Sequence, residues 1–332
     1  MTGRTLIGSL IVMTALTGCK QRSGAVGEGS KPGKMTIAVI PKGTTHDFWT
    51  AVHAGARAAG KEFDVDIIWK GPADEGKFAE QISIVEDMMT RRVDGIVLAP
   101  THGQSLKDVI LKAYDKGIPL TVFDSGAKVD ESKYVTFAAT DNYKGGVLGA
   151  RHLCKLIGGK GKVALVKVMP GGVSTMLLEK GFRETLEKEF PEVELIDEKW
   201  GYALREKSQA AAADILTAHP GKIDGFFGSN ETSAVGILLA LKQRKLQGKV
   251  KFVGFDASPD LIAGIEEDVV DGLVVQNPFM MGYEGVKSIV EFKAGKTVPK
   301  RIDTGVSVVT KQNMKEPEMA KLLNPPKVKL GG

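Results

Sequence analysis

Cysteine is scarce in this chain. Only Cys19 and Cys154 occur among its 332 residues, so a fold held together by several disulfides is excluded. Cys154 lies in an apolar pattern, and we expect it to be a small buried residue. The five histidines form no H-E-x-x-H motif and have no cysteine partners in the sequence. The sequence therefore predicts no metal site.

Motifs for several other chemistries are missing as well. The chain has neither a G-x-x-x-x-G-K-[ST] phosphate loop nor a G-x-S-x-G nucleophile elbow, so we expect neither nucleotide hydrolysis nor triad hydrolase chemistry. Its net charge is only +5, and no run of Lys and Arg is interleaved with aromatic residues. Nucleic-acid binding is therefore not expected. We predict a protein that is not an enzyme and that needs no cofactor.

The most apolar run lies near the N-terminus. Arg4 precedes the stretch Leu6–Leu16, which is shorter than the roughly 20 residues of a membrane span but fits the core of a secretion signal. It ends in LTGC, which resembles a bacterial lipobox with Cys19 as the lipidated residue. An ordinary signal peptide that contains a cysteine is the alternative. We predict a signal peptide over 1–18 and a flexible tether over 19–34, which hold the protein on the membrane in the periplasm or at the cell surface.

The remaining chain alternates between two kinds of segment. Short β-branched runs such as Met35–Ile40 are followed by amphipathic stretches of helix length such as Phe48–Glu62. Two such series occur, one before about residue 140 and one after it. Buried strands that alternate with helices predict an α/β fold with parallel sheets covered on both faces.

Polar residues directly follow several predicted strands. Ligands of doubly wound sheets bind beyond the carboxyl ends of the strands, so these residues are the candidate ligand contacts. Carboxylate and amide groups can pair with adjacent hydroxyls of a sugar, and aromatic faces can stack on its ring. The candidates that share this placement are Lys42, His46, Phe48, Trp49, Asp124, Asn230, Asp256 and Gln276.

Most of these candidates also have a plainer interpretation. Asp124, Asp256 and Asn230 could be helix N-caps, since their side-chain oxygens accept hydrogen bonds from free backbone N–H groups. Trp49 could be a core residue, and His46 and Lys42 could lie in solvated loops.

Several segments together resemble the type I periplasmic sugar-binding proteins, the group of the ribose-, allose- and galactose-binding proteins. The similarity covers nearly all of residues 35–310, and the segments that carry it are TIAVIPK, HDFW, VDGIVLAP, GIPLTVFDS, TDNYKGG, FFGSNE, VGFDASPD and VVQNP. The resemblance implies two doubly wound α/β lobes joined by three crossovers, which we place near Asp141, Gln276 and Asp303. The ligand is expected in the cleft between the lobes.

The resemblance also implies domain limits. Lobe one is expected to comprise 35–140 plus 277–303, and lobe two 141–276 plus 304–315, with a C-terminal tail over 316–332.

The resemblance assigns roles to individual residues. Four of them stand where the family hydrogen-bonds sugar hydroxyls: Asp124, Asn230, Asp256 and Gln276. Phe48 and Trp49 stand where its aromatic residues stack on the ring, Lys42 matches the Lys of the allose- and arabinose-binding members, and His46 takes the place of a polar Asn.

The chain also departs from the family pattern. Leu178 stands where relatives often carry Arg, and Asp124 is followed by Ser125 rather than by Arg or Asp. The cleft is therefore expected to be less cationic than in those relatives.

The function that follows from these features is capture of a sugar or sugar-like polyol for import. The protein would be a monomeric solute-binding component that delivers its ligand to an ABC transporter permease. A sensor that presents a bound sugar or autoinducer-like ligand to a chemoreceptor or a sensor kinase would have the same fold and cleft, and it remains the alternative. A glycosidase would need Asp124 and Asp256 on either side of a scissile bond, and we expect no product from a glycoside panel.

Overall fold

The computed structural model describes residues 1–2 and 33–326. The predicted lipidation site, Cys19, lies outside the described residues. The chain divides into two compact units, Met1–Gly33 and Lys34–Gly332, and the description that follows concerns the second unit.

Strands and helices alternate along most of this unit. The strands are β1 (Thr36–Ile40), β2 (Asp66–Trp69), β3 (Gly95–Leu98), β4 (Leu120–Phe123), β5 (Phe137–Ala139), β6 (Gly161–Lys167), β7 (Val193–Trp200), β8 (Gly225–Gly228), β9 (Lys251–Phe255), β10 (Gly272–Gln276), β11 (Arg301–Asp303) and β12 (Val306–Val309). The helices are α1 (Asp47–Glu62), α2 (Phe78–Thr90), α3 (Lys107–Asp115), α4 (Asn142–Leu156), α5 (Val173–Glu189), α6 (Arg205–Ala218), α7 (Glu231–Gln243), α8 (Pro259–Glu266), α9 (Pro278–Lys293) and α10 (Pro317–Leu323).

The strands form two six-stranded sheets, which define the two lobes. The sheet of lobe one has the order β11-β5-β4-β3-β1-β2, and all its pairs are parallel. The sheet of lobe two has the order β12-β10-β9-β8-β6-β7, in which β12 alone runs antiparallel to its neighbour. The central strands are buried on both faces, as their apolar runs predict. The predicted fold of two doubly wound lobes is confirmed.

The chain passes between the lobes three times, as predicted for this fold. It leaves the first sheet after β5 and continues into α4, which packs on the strands of the second sheet. It returns after β10 through α9, which packs against α1. The third passage is the short link between β11 and β12, and the strand that follows it explains the antiparallel edge of lobe two.

Both lobes pack one helix pair through facing glycines. A Cβ added to Gly55 of α1 would lie 1.8 Å from the carbonyl oxygen of Phe279 in α9, and one added to Gly282 of α9 would lie 2.0 Å from that of Val52. In lobe two, a Cβ on Gly146 of α4 would lie 1.9 Å from the carbonyl oxygen of Leu178 in α5. The backbones of these helices approach so closely that only glycine fits.

The C-terminal part of the described chain adds to the core of lobe two. Helix α10 lies within the segment for which the sequence predicted only a tail. Its Leu323 is buried together with Met314 in the apolar core of lobe two. Cys154 is fully buried among apolar residues, and burial raises the pKa of its thiol to about 12. The helices in residues 33–326 are all too short or too polar to span a membrane.

Candidate ligand-binding cleft

The carboxyl ends of strands from both sheets meet at one cavity between the lobes. All eight residues predicted from the sequence line it. The other lining residues are Glu75, Asn142, Ser174, Thr175, Ser229, Glu231 and Phe255. In this conformation the cavity measures about 30 Å³, which is room for only a water or two. A ligand of sugar size therefore fits only after the lobes or the lining side chains move.

Asp124 and Asp256 occupy equivalent positions, each directly after a buried strand of its own lobe. Both have a left-handed backbone, with φ of 55° at Asp124 and 72° at Asp256. This conformation is unfavourable for most residues but is tolerated by Asp, and it is often found at functional sites. No helix begins at Asp124, and the N-cap of α8 is Ser258, so the capping interpretation is wrong for both carboxylates.

Asn230 combines the two interpretations that the sequence left open. Its Oδ1 accepts a hydrogen bond from the backbone N–H of Ser233 at 2.9 Å, so it is the N-cap of α7. The same residue lines the cavity. This hydrogen bond holds the Asn230 side chain in place at the cleft, because its oxygen is bonded to the helix that it caps.

Lys42 is buried at the lobe-one side of the cavity, with only 5% of its surface exposed. Its Nζ lies 2.9 Å from Oδ2 of Asp124 and 3.7 Å from Oε2 of Glu75, and it donates to Oγ of Ser174 from lobe two at 3.2 Å. Burial alone would lower the pKa of Lys42, but the charges of Asp124 and Glu75 raise it above its usual value. Lys42 is therefore a buried cation, and the solvated interpretation is wrong.

Glu75 is a cleft residue that the sequence analysis missed. Its Oε1 accepts from Trp49 Nε1 at 3.1 Å and lies 3.4 Å from Nδ1 of His46. Burial alone would raise the pKa of Glu75, but the charge of Lys42 and the hydrogen bond from His46 lower it to about 2. Glu75 comes six residues after the end of β2 at Trp69, in a loop. Only its place beyond a strand end could have suggested it.

The aromatic residues of lobe one belong to both the core and the cleft. Trp49 is 1% exposed and packs with Phe48 and Phe123 in the apolar core of lobe one. The centroid of its ring lies 4.8 Å from that of Phe48 and 6.2 Å from that of Phe123, and both pairs are edge-on. The core interpretation of Trp49 is thus correct, and its indole N–H is fixed by Glu75 at the edge of the cavity. His46 is buried as well, so its solvated interpretation is wrong.

The lobe-two side of the cavity centres on Asp256. Its Oδ1 accepts from Gln276 Nε2 at 2.7 Å, and its Oδ2 accepts from the backbone N–H of Glu231 at 3.0 Å. Burial and the neighbouring charge of Glu231 raise the pKa of Asp256 to about 7. Oε1 of Gln276 is buried without a hydrogen-bond partner among the described residues.

Glu231 joins the two lobes across the cleft. Its Oε2 accepts from the backbone N–H of Phe48 at 3.0 Å, and its Oε1 accepts from Arg205 at 2.8 Å. The side chain of His46, the N-cap residue of α1, accepts no hydrogen bond from the backbone of that helix. The first turn is capped instead by a carboxylate from the other lobe. On the other side of the cleft, the backbone N–H of Ser174 donates to Oγ of Ser125 at 3.2 Å. The lobes are closed on each other.

The two departures from the family pattern have clear places in the structure. Leu178 is fully buried in the lobe-two core, where it packs with Phe182. Ser125 is engaged by Ser174, as described above. Neither residue supplies a positive charge to the cleft.

Comparison with known proteins agrees with this geometry. The sequence model of the periplasmic binding protein domain matches residues 37–297. The chain belongs to this family. It is 28% identical over 269 residues to the D-allose-binding periplasmic protein of Escherichia coli K12, covering 79% of this chain and 86% of that protein. The predicted resemblance is thereby confirmed.

Solved structures show the same architecture. A carbohydrate transporter solute-binding protein from Agrobacterium radiobacter, in complex with D-arabinose, is 33% identical, with a TM-score of 0.85 and coverage of 89% of this chain and 100% of that one. An ABC transporter solute-binding protein from Agrobacterium vitis with bound D-fucose is 34% identical, with a TM-score of 0.84 and coverage of 87% and 100%.

A buried carboxyl of lobe two gives the protein a pH-dependent stability. Glu179 of α5 is 2% exposed, and its Oε1 accepts from Oγ of Ser229 at 3.1 Å and from the backbone N–H of Val168 at 3.3 Å. Burial raises the pKa of Glu179 to about 7. Because the folded state then holds a proton that the unfolded state releases above about pH 4.5, stability falls as pH rises from about 5 to 8.

We expect Glu179→Gln to remove part of this loss. Gln keeps an acceptor for Ser229 but does not ionise. Between pH 5 and pH 8, the free energy of unfolding of the variant should therefore fall by about 3 kcal/mol less than that of the wild type. Urea unfolding at both pH values measures the difference. Glu187→Gln, an exposed position on the same helix, is the matched control and should leave the slope unchanged. Equal slopes for wild type and Glu179→Gln would contradict the prediction.

Proposed function

We propose that this protein is the solute-binding component of an ABC importer and binds a sugar or sugar-like polyol between its lobes. The observation that carries the proposal is the convergence of hydrogen-bonding groups and aromatic rings from both sheets on one cavity. The solved relatives named above hold D-arabinose and D-fucose, which supports a ligand of this class.

The proposed contacts are divided between the lobes. Asp124 belongs to lobe one, Asn230 and Asp256 to lobe two, and Gln276 is the last residue of β10, directly before the chain crosses back. These side chains would hydrogen-bond ligand hydroxyls.

The lobe-one rings and the two basic residues complete the proposed ligand shell. Phe48 and Trp49 would present ring faces or edges to the apolar side of the ligand, while Lys42 and His46 would approach its oxygens.

Binding would be coupled to closure of the lobes. Entry of a ligand breaks the contacts between Glu231 and Phe48 and between Ser174 and Ser125. A ligand that bonds to both lobes restores a closed state, because its extra affinity for that state shifts the equilibrium. The permease would then recognise the closed, loaded form.

The cleft carboxylates would act as hydrogen-bond acceptors rather than as a catalytic acid and base. Asp124 is paired with Lys42, and both oxygens of Asp256 already accept hydrogen bonds. We therefore propose that the protein binds its ligand without changing it.

The proposed location follows from the N-terminal sequence. Cleavage after residue 18 and lipidation of Cys19 would leave 19–34 as a tether to the globular unit. The protein would act as a monomer on the membrane surface, in the periplasm or at the cell surface, next to its permease.

A binding screen tests the proposed function. We expect at least one pentose, hexose or polyol to raise the melting temperature, and calorimetry on that compound to show a single site. Asp124→Asn, which keeps a residue that tolerates the left-handed backbone, should weaken the binding of that compound. If no hydroxylated compound of these classes raises the melting temperature, the proposed function is wrong.

A further inference from the structure

The cleft contains more negative than positive charge. Four carboxylates line it, namely Glu75, Asp124, Glu231 and Asp256. Lys42 is shared by Asp124 and Glu75, at 2.9 Å and 3.7 Å. Arg205 pairs with Glu231 at 2.8 Å and is also shared with two acidic residues outside the cavity, Asp47 and Asp260. His46, whose Nδ1 lies 3.4 Å from Oε1 of Glu75, is paired as well, so the basic groups at the cleft are already committed to carboxylates.

Asp256 is the carboxylate that this pairing leaves out. Among residues 33–326 it forms no salt bridge, and its two oxygens accept only from the neutral amide of Gln276 and from the backbone N–H of Glu231. It is 6% exposed, so water compensates little of its charge. A buried carboxylate without a cation is costly, because burial, which is the main cause of the raised pKa of Asp256, disfavours its charged form.

A second acceptor lies beside it. Oε1 of Gln276 is buried without a partner in the described part of the chain, while Nε2 of the same amide is held 2.7 Å from Asp256. The two acceptors therefore belong to side chains in direct contact. Leu178 and Ser125 are neutral, so neither brings a cation to the cleft.

We infer that the ligand carries a protonated amine, which lies against Asp256 and Oε1 of Gln276, so that the preferred ligand class is amino sugars or amino polyols. An ammonium group has three donors and one positive charge, so it satisfies the free acceptor and supplies the missing counter-charge together. A neutral hydroxyl satisfies the acceptor but leaves the charge uncompensated. A sugar acid adds a further negative charge where Lys42, Arg205 and His46 are already paired with carboxylates.

The inference rests on the proposed function. A set of matched ligands distinguishes a failure of the inference from a failure of the proposed function. Calorimetry at neutral pH compares each neutral hexose with its 2-amino-2-deoxy derivative, its N-acetylated amino derivative and its uronic acid, in the gluco, galacto and manno series. We expect one amino sugar to bind at least about tenfold more tightly than its neutral parent. The N-acetylated form, which has the nitrogen without the charge, should lose this advantage, and the uronic acid should bind most weakly.

The variant Asp256→Asn assigns the preference to that residue. Asn tolerates the left-handed backbone and removes the charge, and its altered contacts with Gln276 and Glu231 affect both ligands alike, so the ratio of amino-sugar to neutral-sugar affinity should fall to about one. Asp214→Asn, at an exposed position of α6, is the matched control and should keep the ratio.

The outcomes are distinct. If neutral sugars bind as tightly as their amino derivatives in every series that binds, or if the uronic acid binds best, the amine inference is wrong and the proposed function stands. If the ratio survives in Asp256→Asn, the amine does not lie against Asp256 and the inference is also wrong. If no neutral sugar, amino sugar or polyol binds at all, the proposed function fails.

Discussion

Asp256→Asn is expected to lower the affinity for the ligand by about 30-fold, or ~2 kcal/mol, while the protein stays folded. Both oxygens of Asp256 face donors, since Oδ1 accepts from Gln276 and Oδ2 accepts from the backbone N–H of Glu231. The amide NH2 of Asn turns one of these contacts into a donor facing a donor. The variant also removes the charge that would strengthen hydrogen bonds to the ligand.

Asn is the informative substitution at this position because the backbone φ of Asp256 is 72°. Ala would be strained there, and a loss of binding could then reflect a shifted backbone. Titration calorimetry with the compound found in the screen gives the affinity, and the melting temperature without ligand checks the fold. Asp214→Asn should match the wild type in both measurements. An affinity for Asp256→Asn close to that of the wild type would remove this residue from the site.

Gly55→Ala is expected to destabilise the protein by about 3 kcal/mol or more. The new methyl group would lie 1.8 Å from the carbonyl oxygen of Phe279 and 2.7 Å from its carbon, both of which are backbone atoms of α9. A backbone atom cannot rotate away as a side chain can, so α1 and α9 must separate and lose the packing around them. Helix propensity opposes this loss by only about 1 kcal/mol in favour of Ala.

Gly126→Ala is the control for this substitution. Its methyl group would meet only Cγ1 of Val173, at an ordinary contact distance of 3.5 Å, and its φ is not in the left-handed region. Gly146→Ala should repeat the large loss in lobe two, because its methyl group would lie 1.9 Å from the carbonyl oxygen of Leu178. Urea unfolding measures all three variants. A loss below about 1 kcal/mol for Gly55→Ala would show that the helices can separate at little cost.

Local sequence patterns predicted most elements near the cleft. The run Met35–Ile40 was predicted as a strand and the stretch Phe48–Glu62 as a helix, and they form β1 and α1. Buried parallel strands are nearly continuous apolar runs, so their limits are visible in the sequence. Helix α9 carries Gly282 and Gly285, which lower the helical signal on the face that packs closely. The sequence does not show that a neighbouring backbone favours glycine there.

The site was predicted to the extent that it follows strand ends. Asp124, Asp256 and Gln276 stand at such ends, and parallel strands bring their carboxyl ends to one edge of each sheet. Glu75 was missed because it lies in a loop, and what brings it to the cavity is its contacts with Lys42 and Trp49. The role of Glu231 could not be read from the sequence either, since its partner Phe48 is 183 positions away and in the other lobe.

The sequence by itself determined the alternation of buried strands with amphipathic helices, the family and the residue types that face the cleft, because these depend on local periodicity and on short motifs. Only the tertiary structure decided which charges are compensated. Lys42 pairs with Asp124 and Glu75, whereas Asp256 is left with neutral donors. Charge pairing acts through space over a few ångströms in a medium of low dielectric constant, and these distances exist only once the two sheets have folded and closed on each other.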